Sequence, residues 1–152
     1  IRDIMFLIIL SNWIKRQVKM TTIKKIADEN DQLVKETYQD IRDTRNTQYI
    51  GNFWKYLAFN PSLLKEVWTE VKNLMTKETL IDKKMKEMIY MAVSITNNCS
   101  YCTHSHTASA KKLGMTSEEH AEFLKIVALA AKTNQLVNSL QVPVDEIFDA
   151  DK

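Results

Sequence analysis

Residues 82–106 read DKKMKEMIYMAVSITNNCSYCTHSH, and this stretch decides the architecture. In its first half Met85, Met88, Ile89, Ala92 and Val93 recur at three- and four-residue intervals, one face of a helix. Asn97 and Asn98 break that period. Either Asn can cap the helix that follows, which places Cys99 and Cys102 in its first turn. The spacing predicts two helices, over about 81–96 and 98–113, packed antiparallel around the two thiols.

Further along, Gly114 is placed as a left-handed cap, and Thr116 with Glu119 forms a capping-box pattern opening a helix that runs to about Leu140. Pro143 stops it, and an acidic tail, 145–152, is expected to be loosely ordered. Upstream, Asn60-Pro61 is a start signal. It is followed by Leu64, Val67, Trp68, Val71 and Met75 at helical spacing. Tyr49 to Asn60 is aromatic-rich and predicts a short buried helix. Ile23 to Arg45 scatters Ile26, Leu33, Tyr38 and Ile41 among many charges, which predicts one or two surface-facing helices. Residues 1–20 read as an N-terminal extension, with Ile4, Leu7, Ile8 and Trp13 or Ile14 on one face of an amphipathic helix. The apolar run Ile4 to Leu10 is far below the roughly 20 residues of a membrane span, and no small-residue cleavage site follows it. Residues 21–152 are expected to form a single helical domain.

Composition agrees with an all-α chain. Only 2 Gly and 2 Pro occur in 152 residues, too few for the tight turns of a sandwich or barrel and for a Gly-rich phosphate cradle. The net charge of +2 is too mild to imply a nucleic-acid partner. The 2 cysteines are too few for a secreted disulfide framework. A bond between them would close so short a loop that it stabilises by only about 2 kcal/mol before strain. A reactive or metal-binding pair in a reducing, cytoplasmic compartment is the better reading.

Cys102 and His106 are i and i+4, one above the other on one helix face. Helical side chains lean toward the N-terminus, so His106 reaches back toward the Cys102 sulfur. An imidazole there can take the thiol proton and hold the resulting ion pair. Cys99 supplies the second thiol, which resolves an oxidised first one as a disulfide. Position favours Cys99 as nucleophile, because it lies nearest the helix N-terminus, where exposed amides and the dipole favour a thiolate. Geometry favours Cys102. Glu87 borders the Met85–Val93 stripe and is a candidate for partial burial and proton relay, or else it pairs with Lys83 or Lys84 on a wet face.

Glu87, Cys99, Cys102 and His106 together spell E-x11-C-x-x-C-x3-H. With Met91-Ala92-Val93-Ser94, Asn98-Cys99 and Ala110-Lys111-Lys112-Leu113-Gly114 around it, the chain resembles the alkylhydroperoxidase D-like and carboxymuconolactone decarboxylase family of small all-helical proteins. Asn52-Phe53-Trp54-Lys55-Tyr56-Leu57 and Asn60-Pro61-Ser62-Leu63-Leu64 resemble its peroxidase-related branch. The likeness covers about Asp31 to Leu140. It implies a thiol-dependent peroxidase or dithiol–disulfide oxidoreductase, with Cys102 attacking a small hydroperoxide, Cys99 resolving, and Glu87 with His106 relaying protons. Tyr101 stands where the best-studied branch carries a relay His, and is a possible relay residue here. The resemblance also implies an external dithiol reductant, thioredoxin-like or dihydrolipoyl, and a homo-oligomer, a hexamer ahead of a trimer.

Two other classes compete. A lactone decarboxylase is the other namesake activity, but it does not use the dithiol. A non-catalytic zinc protein would draw on Cys99, Cys102, His106 and either His104 or His120. Structural zinc sites generally gather ligands from separated segments, whereas three of these crowd one helix face. His104 and His120 read as surface residues, and the expectation is a site with neither metal nor cofactor and a chain with no nucleic-acid or membrane partner.

Overall fold

The computed structural model describes residues 21–26 and 29–149, so the expected helical extension over 1–20 lies outside the described residues. Among those described, all regular structure is helical. No helix among them is long and apolar enough to cross a membrane. The chain divides into two compact units, one ending at Leu74 and the other beginning at Met75.

The first unit holds α1 (Gln32–Arg45), α2 (Asn52–Leu57) and α3 (Pro61–Val71). Asp31 caps α1 by accepting from the Val34 N–H. One helix therefore forms where one or two were expected, and Ile26 instead donates its N–H to the Lys55 carbonyl. α1 is a surface helix with one fully buried face. Val34, Tyr38 and Ile41 recur at helical spacing and are 1% exposed, so the many charges merely occupy the opposite face. They pack with Ile50, Trp54, Ala58, Leu64 and Trp68. The Trp54 and Trp68 rings meet edge to face with centroids 5.5 Å apart. Asp40 accepts from the buried Trp68 indole at 2.7 Å and from Lys72 at 2.6 Å. Asn60 caps α3 with Pro61 at its first position, as its sequence predicts. After Val71 the helix widens into a π-helical turn, Lys72–Thr76, so the regular spacing does not carry on to Met75.

The second unit holds α4 (Lys83–Thr96), α5 (Ser100–Lys112) and α6 (Ser117–Leu140), followed by a 3-10 turn at Glu146–Phe148. The tail expected to be loose thus keeps a short ordered turn. Asp82 caps α4 through the Met85 N–H. At the end of α5, Gly114 takes φ +89°, with its N–H on Lys111 and the Met115 N–H on Ala110. That paired closure seats Met115 over Ala110, and both are buried with Met91 and Phe123. Thr116 and Glu119 form the expected capping box. Glu119 also accepts from Lys84 at 2.7 Å, which ties α4 to the start of α6.

Candidate active site

The connection between α4 and α5 is only three residues, and each has a distinct backbone role. Asn97 ends α4, and Asn98 turns the chain with φ +55°, a left-handed value that Asn tolerates. Neither caps α5, contrary to the expectation. Cys99 does so itself: its sulfur accepts from the Cys102 N–H at 3.3 Å. The Cys99 N–H in turn donates to the carbonyl of buried Ser94 at 2.9 Å. This tight reversal makes α5 run back along α4.

Cys99 and Cys102 are joined as a disulfide, their Cα atoms 5.3 Å apart. One sulfur therefore sits at the cap and the other in the first turn, and both are half-buried. One turn further along α5, His106 meets Glu87 of α4, with Nδ1 at 2.5 Å from Oε2. Their side chains are 21% and 14% accessible, so the pair is largely shielded from water. An ionised Glu87 accepts the Nδ1–H, leaving Nε2 as the nitrogen that takes or gives a proton. In this disulfide form the hydrogen bond of His106 goes to Glu87 and not to the Cys102 sulfur.

Of the two alternatives left open for Glu87, partial burial is the one found, its side chain being 14% accessible. The lysine alternatives are engaged elsewhere, Lys83 with Glu78 and Lys84 with Glu119. Tyr101, between the two cysteines, is 48% exposed. His104 is exposed and its Nδ1 lies 2.8 Å from the Ser100 carbonyl. With His120 it lines an open groove of about 490 Å³ that none of Glu87, Cys99, Cys102 and His106 borders. The zinc set is therefore not assembled, and its two thiols are spent on one another. Among the described residues no group of three or more His, Cys, Asp or Glu is arranged to hold a metal.

Two residues of the site escape a motif reading. The Tyr90 ring stacks on His106, with centroids 4.0 Å apart and planes 22° from parallel. Ser94, one turn on, receives the Cys99 amide on its carbonyl and gives its hydroxyl proton to the Tyr90 carbonyl. Glu87, Tyr90 and Ser94 lie at i, i+3 and i+7, so their shared face is visible in the period once α4 is drawn.

Comparison with known proteins points one way. The model of the carboxymuconolactone decarboxylase family matches residues 63–145, a span that contains the whole site. The alkyl hydroperoxide reductase AhpD of Nocardia farcinica is 26% identical over 123 residues, 80% of this chain and 69% of that protein. AhpD of Mycobacteroides abscessus is 40% identical over 55 residues, 36% of this chain and 31% of that protein. A crystal structure of the alkylhydroperoxidase AhpD core from Rhodospirillum rubrum superposes with a TM-score of 0.83 at 47% identity, covering 86% of this chain and 98% of the other.

Proposed function

The chain belongs to the carboxymuconolactone decarboxylase family, and on that premise we propose that it is a thiol-dependent hydroperoxidase. Cys102 is the attacking thiol, Cys99 the resolving one, and His106 with Glu87 moves the protons. The observation that carries this reading is the Cys99–Cys102 disulfide at the head of α5, one turn from the His106–Glu87 pair. The names of the relatives, alkyl hydroperoxide reductase and alkylhydroperoxidase, support a small hydroperoxide as substrate.

The chemistry balances on these groups. The Cys102 thiolate attacks the terminal peroxide oxygen, forming an S–O bond as the O–O bond breaks. The departing alkoxide takes a proton by way of His106 and leaves as alcohol. Cys102 is then a sulfenic acid. The Cys99 thiolate attacks that sulfur, the S–O bond breaks, and hydroxide leaves with a relayed proton as water. Two electrons have passed from the dithiol to the peroxide. An external dithiol, thioredoxin-like or dihydrolipoyl, returns them through a mixed disulfide. Tyr101 is a further proton carrier in this scheme. A cycle that needs continual reduction fits a reducing cytoplasm.

A lactone decarboxylase has no use for the dithiol, and no feature of the site favours that activity. For assembly we propose a homo-oligomer, a hexamer ahead of a trimer. In support, Ile126, Leu129, Leu136, Val137 and Leu140 share one side of α6, and all are exposed.

The decisive measurement is mass spectrometry of the reduced protein after addition of cumene hydroperoxide. The expected outcome is loss of both thiols and one internal disulfide for each peroxide consumed. Thiols that survive excess peroxide would overturn the assignment.

A further inference from the structure

Tyr90 takes no part in the proton path above, yet its ring lies nearly flat against the site's imidazole. Its centroid is 4.0 Å from that of His106, and the two planes are inclined by 22°. Glu87 holds the imidazole by one edge, at Nδ1. A single hydrogen bond leaves a ring free to rock about that bond, which would swing Nε2 through an arc. A stacked face removes that freedom, because rocking would separate or collide the two planes. Edge and face together define the imidazole's position. We propose that Tyr90 is a positioning residue, whose ring clamps His106 so that Nε2 is held ready for the dithiol.

The contact is a consequence of helix geometry. Tyr90 lies three residues after Glu87 on α4, so both side chains come from one strip of that helix and reach the same residue of α5. Tyr90 is 41% exposed and is not one of the buried core residues of this unit. Nothing in its burial requires an aromatic ring at this position. Its hydroxyl enters none of the hydrogen bonds of the site, so the ring rather than the phenol oxygen does the positioning.

The inference rests on the proposal that His106 serves the dithiol, and two reactions keep the two ideas apart. Reduction of the Cys99–Cys102 disulfide by dithiothreitol needs no peroxide, whereas its re-formation by cumene hydroperoxide tests the peroxidase. Tyr90→Phe keeps the stacking face, and Tyr90→Leu replaces it with a smaller apolar side chain. The expected result is a Phe variant within twofold of the parent in both reactions. The Leu variant should be about tenfold slower in both, with an unchanged KM for peroxide and an unchanged thermal midpoint. In NMR spectra the His106 ring protons of the parent and the Phe variant should show an upfield ring-current shift that the Leu variant lacks. Combining Tyr90→Leu with His106→Ala should slow dithiothreitol reduction no further than His106→Ala alone, since a clamp is idle without its ring. A Leu variant as fast as the parent, or a double variant slower than His106→Ala, would overturn the clamp. A parent that ignores peroxide, with a Leu variant still slower than it toward dithiothreitol, would remove the peroxidase and leave the clamp standing.

Discussion

Glu87 and His106, nineteen residues apart, meet at 2.5 Å between the two site helices. This contact brings a shielded carboxylate and an imidazole together, and it fixes which ring nitrogen is free. Glu87→Gln keeps an acceptor for the Nδ1–H but removes the charge that steadies an imidazolium. Turnover with peroxide should fall by about a hundredfold, the lower end of what general acid–base groups contribute. The shape of the side chain is preserved, so the circular-dichroism melt should move little. Stopped-flow kinetics showing full activity in the Gln variant would sink the relay.

Acid should loosen the first unit through Asp40. The Lys72 ammonium beside it, helped by the Trp68 indole, holds its carboxyl below the ordinary carboxylate value against the opposing effect of burial. Because the folded carboxyl titrates below the unfolded one, its stabilisation is complete above about pH 4 to 5 and is lost as the pH falls further. Tryptophan-fluorescence melts at falling pH should show this loss, and Asp40→Asn should blunt it. Asp40→Ala leaves the buried Trp68 N–H without its acceptor, at a cost of about 1–3 kcal/mol at neutral pH. A pH profile identical in parent and Asn variant would disprove the assignment.

The parts of this fold that were legible in the sequence are those set by near neighbours. Asn60-Pro61, Gly114, and Thr116 with Glu119 act within one turn, and each does what its local chemistry dictates. The C-x-x-C and the His one turn later are likewise a matter of three and four residues. What escaped needs long-range contact. The partner of Glu87 could not be chosen between Lys83, Lys84 and a distant imidazole until α5 doubled back on α4. The charges of α1 hid a buried face because charge density says nothing of which side they occupy. Cys99 as its own helix cap was missed because two Asn residues, far better caps, stand just before it. The backbone spends both on the reversal.

The outer side of α6 predicts the state of assembly. Leu129 is 61% exposed amid four other exposed apolar residues, all within a narrow arc of one helix. Covering the part of each such side chain that still faces water with a neighbouring copy is worth about 1–2 kcal/mol. Light scattering at micromolar concentration should find an oligomer for the parent and a smaller species for Leu129→Glu, with the helical signal retained. A monomeric parent would end the oligomer proposal.

The last prediction concerns which sulfur meets the peroxide. Cys99 holds the helix end, and its sulfur already accepts the Cys102 N–H at 3.3 Å, so a thiolate there would be stabilised by the same amide. Such a thiolate is also the poorer nucleophile, since nucleophilicity falls as a thiolate becomes more stable, and the better leaving group. Cys102 lacks that cap but stands one turn before His106, whose Nε2 is free to take its proton. The two positions thus divide the work: Cys102 attacks, while Cys99 resolves and later leaves when the disulfide is reduced. Mutants should be asymmetric. After peroxide, Cys99→Ser should trap a sulfenic acid on Cys102, captured by a cyclic dione and located by mass spectrometry. Cys102→Ser should leave Cys99 largely unoxidised under the same exposure. Sulfenic acid on Cys99 instead would mean that the helix end, and not the imidazole, selects the nucleophile.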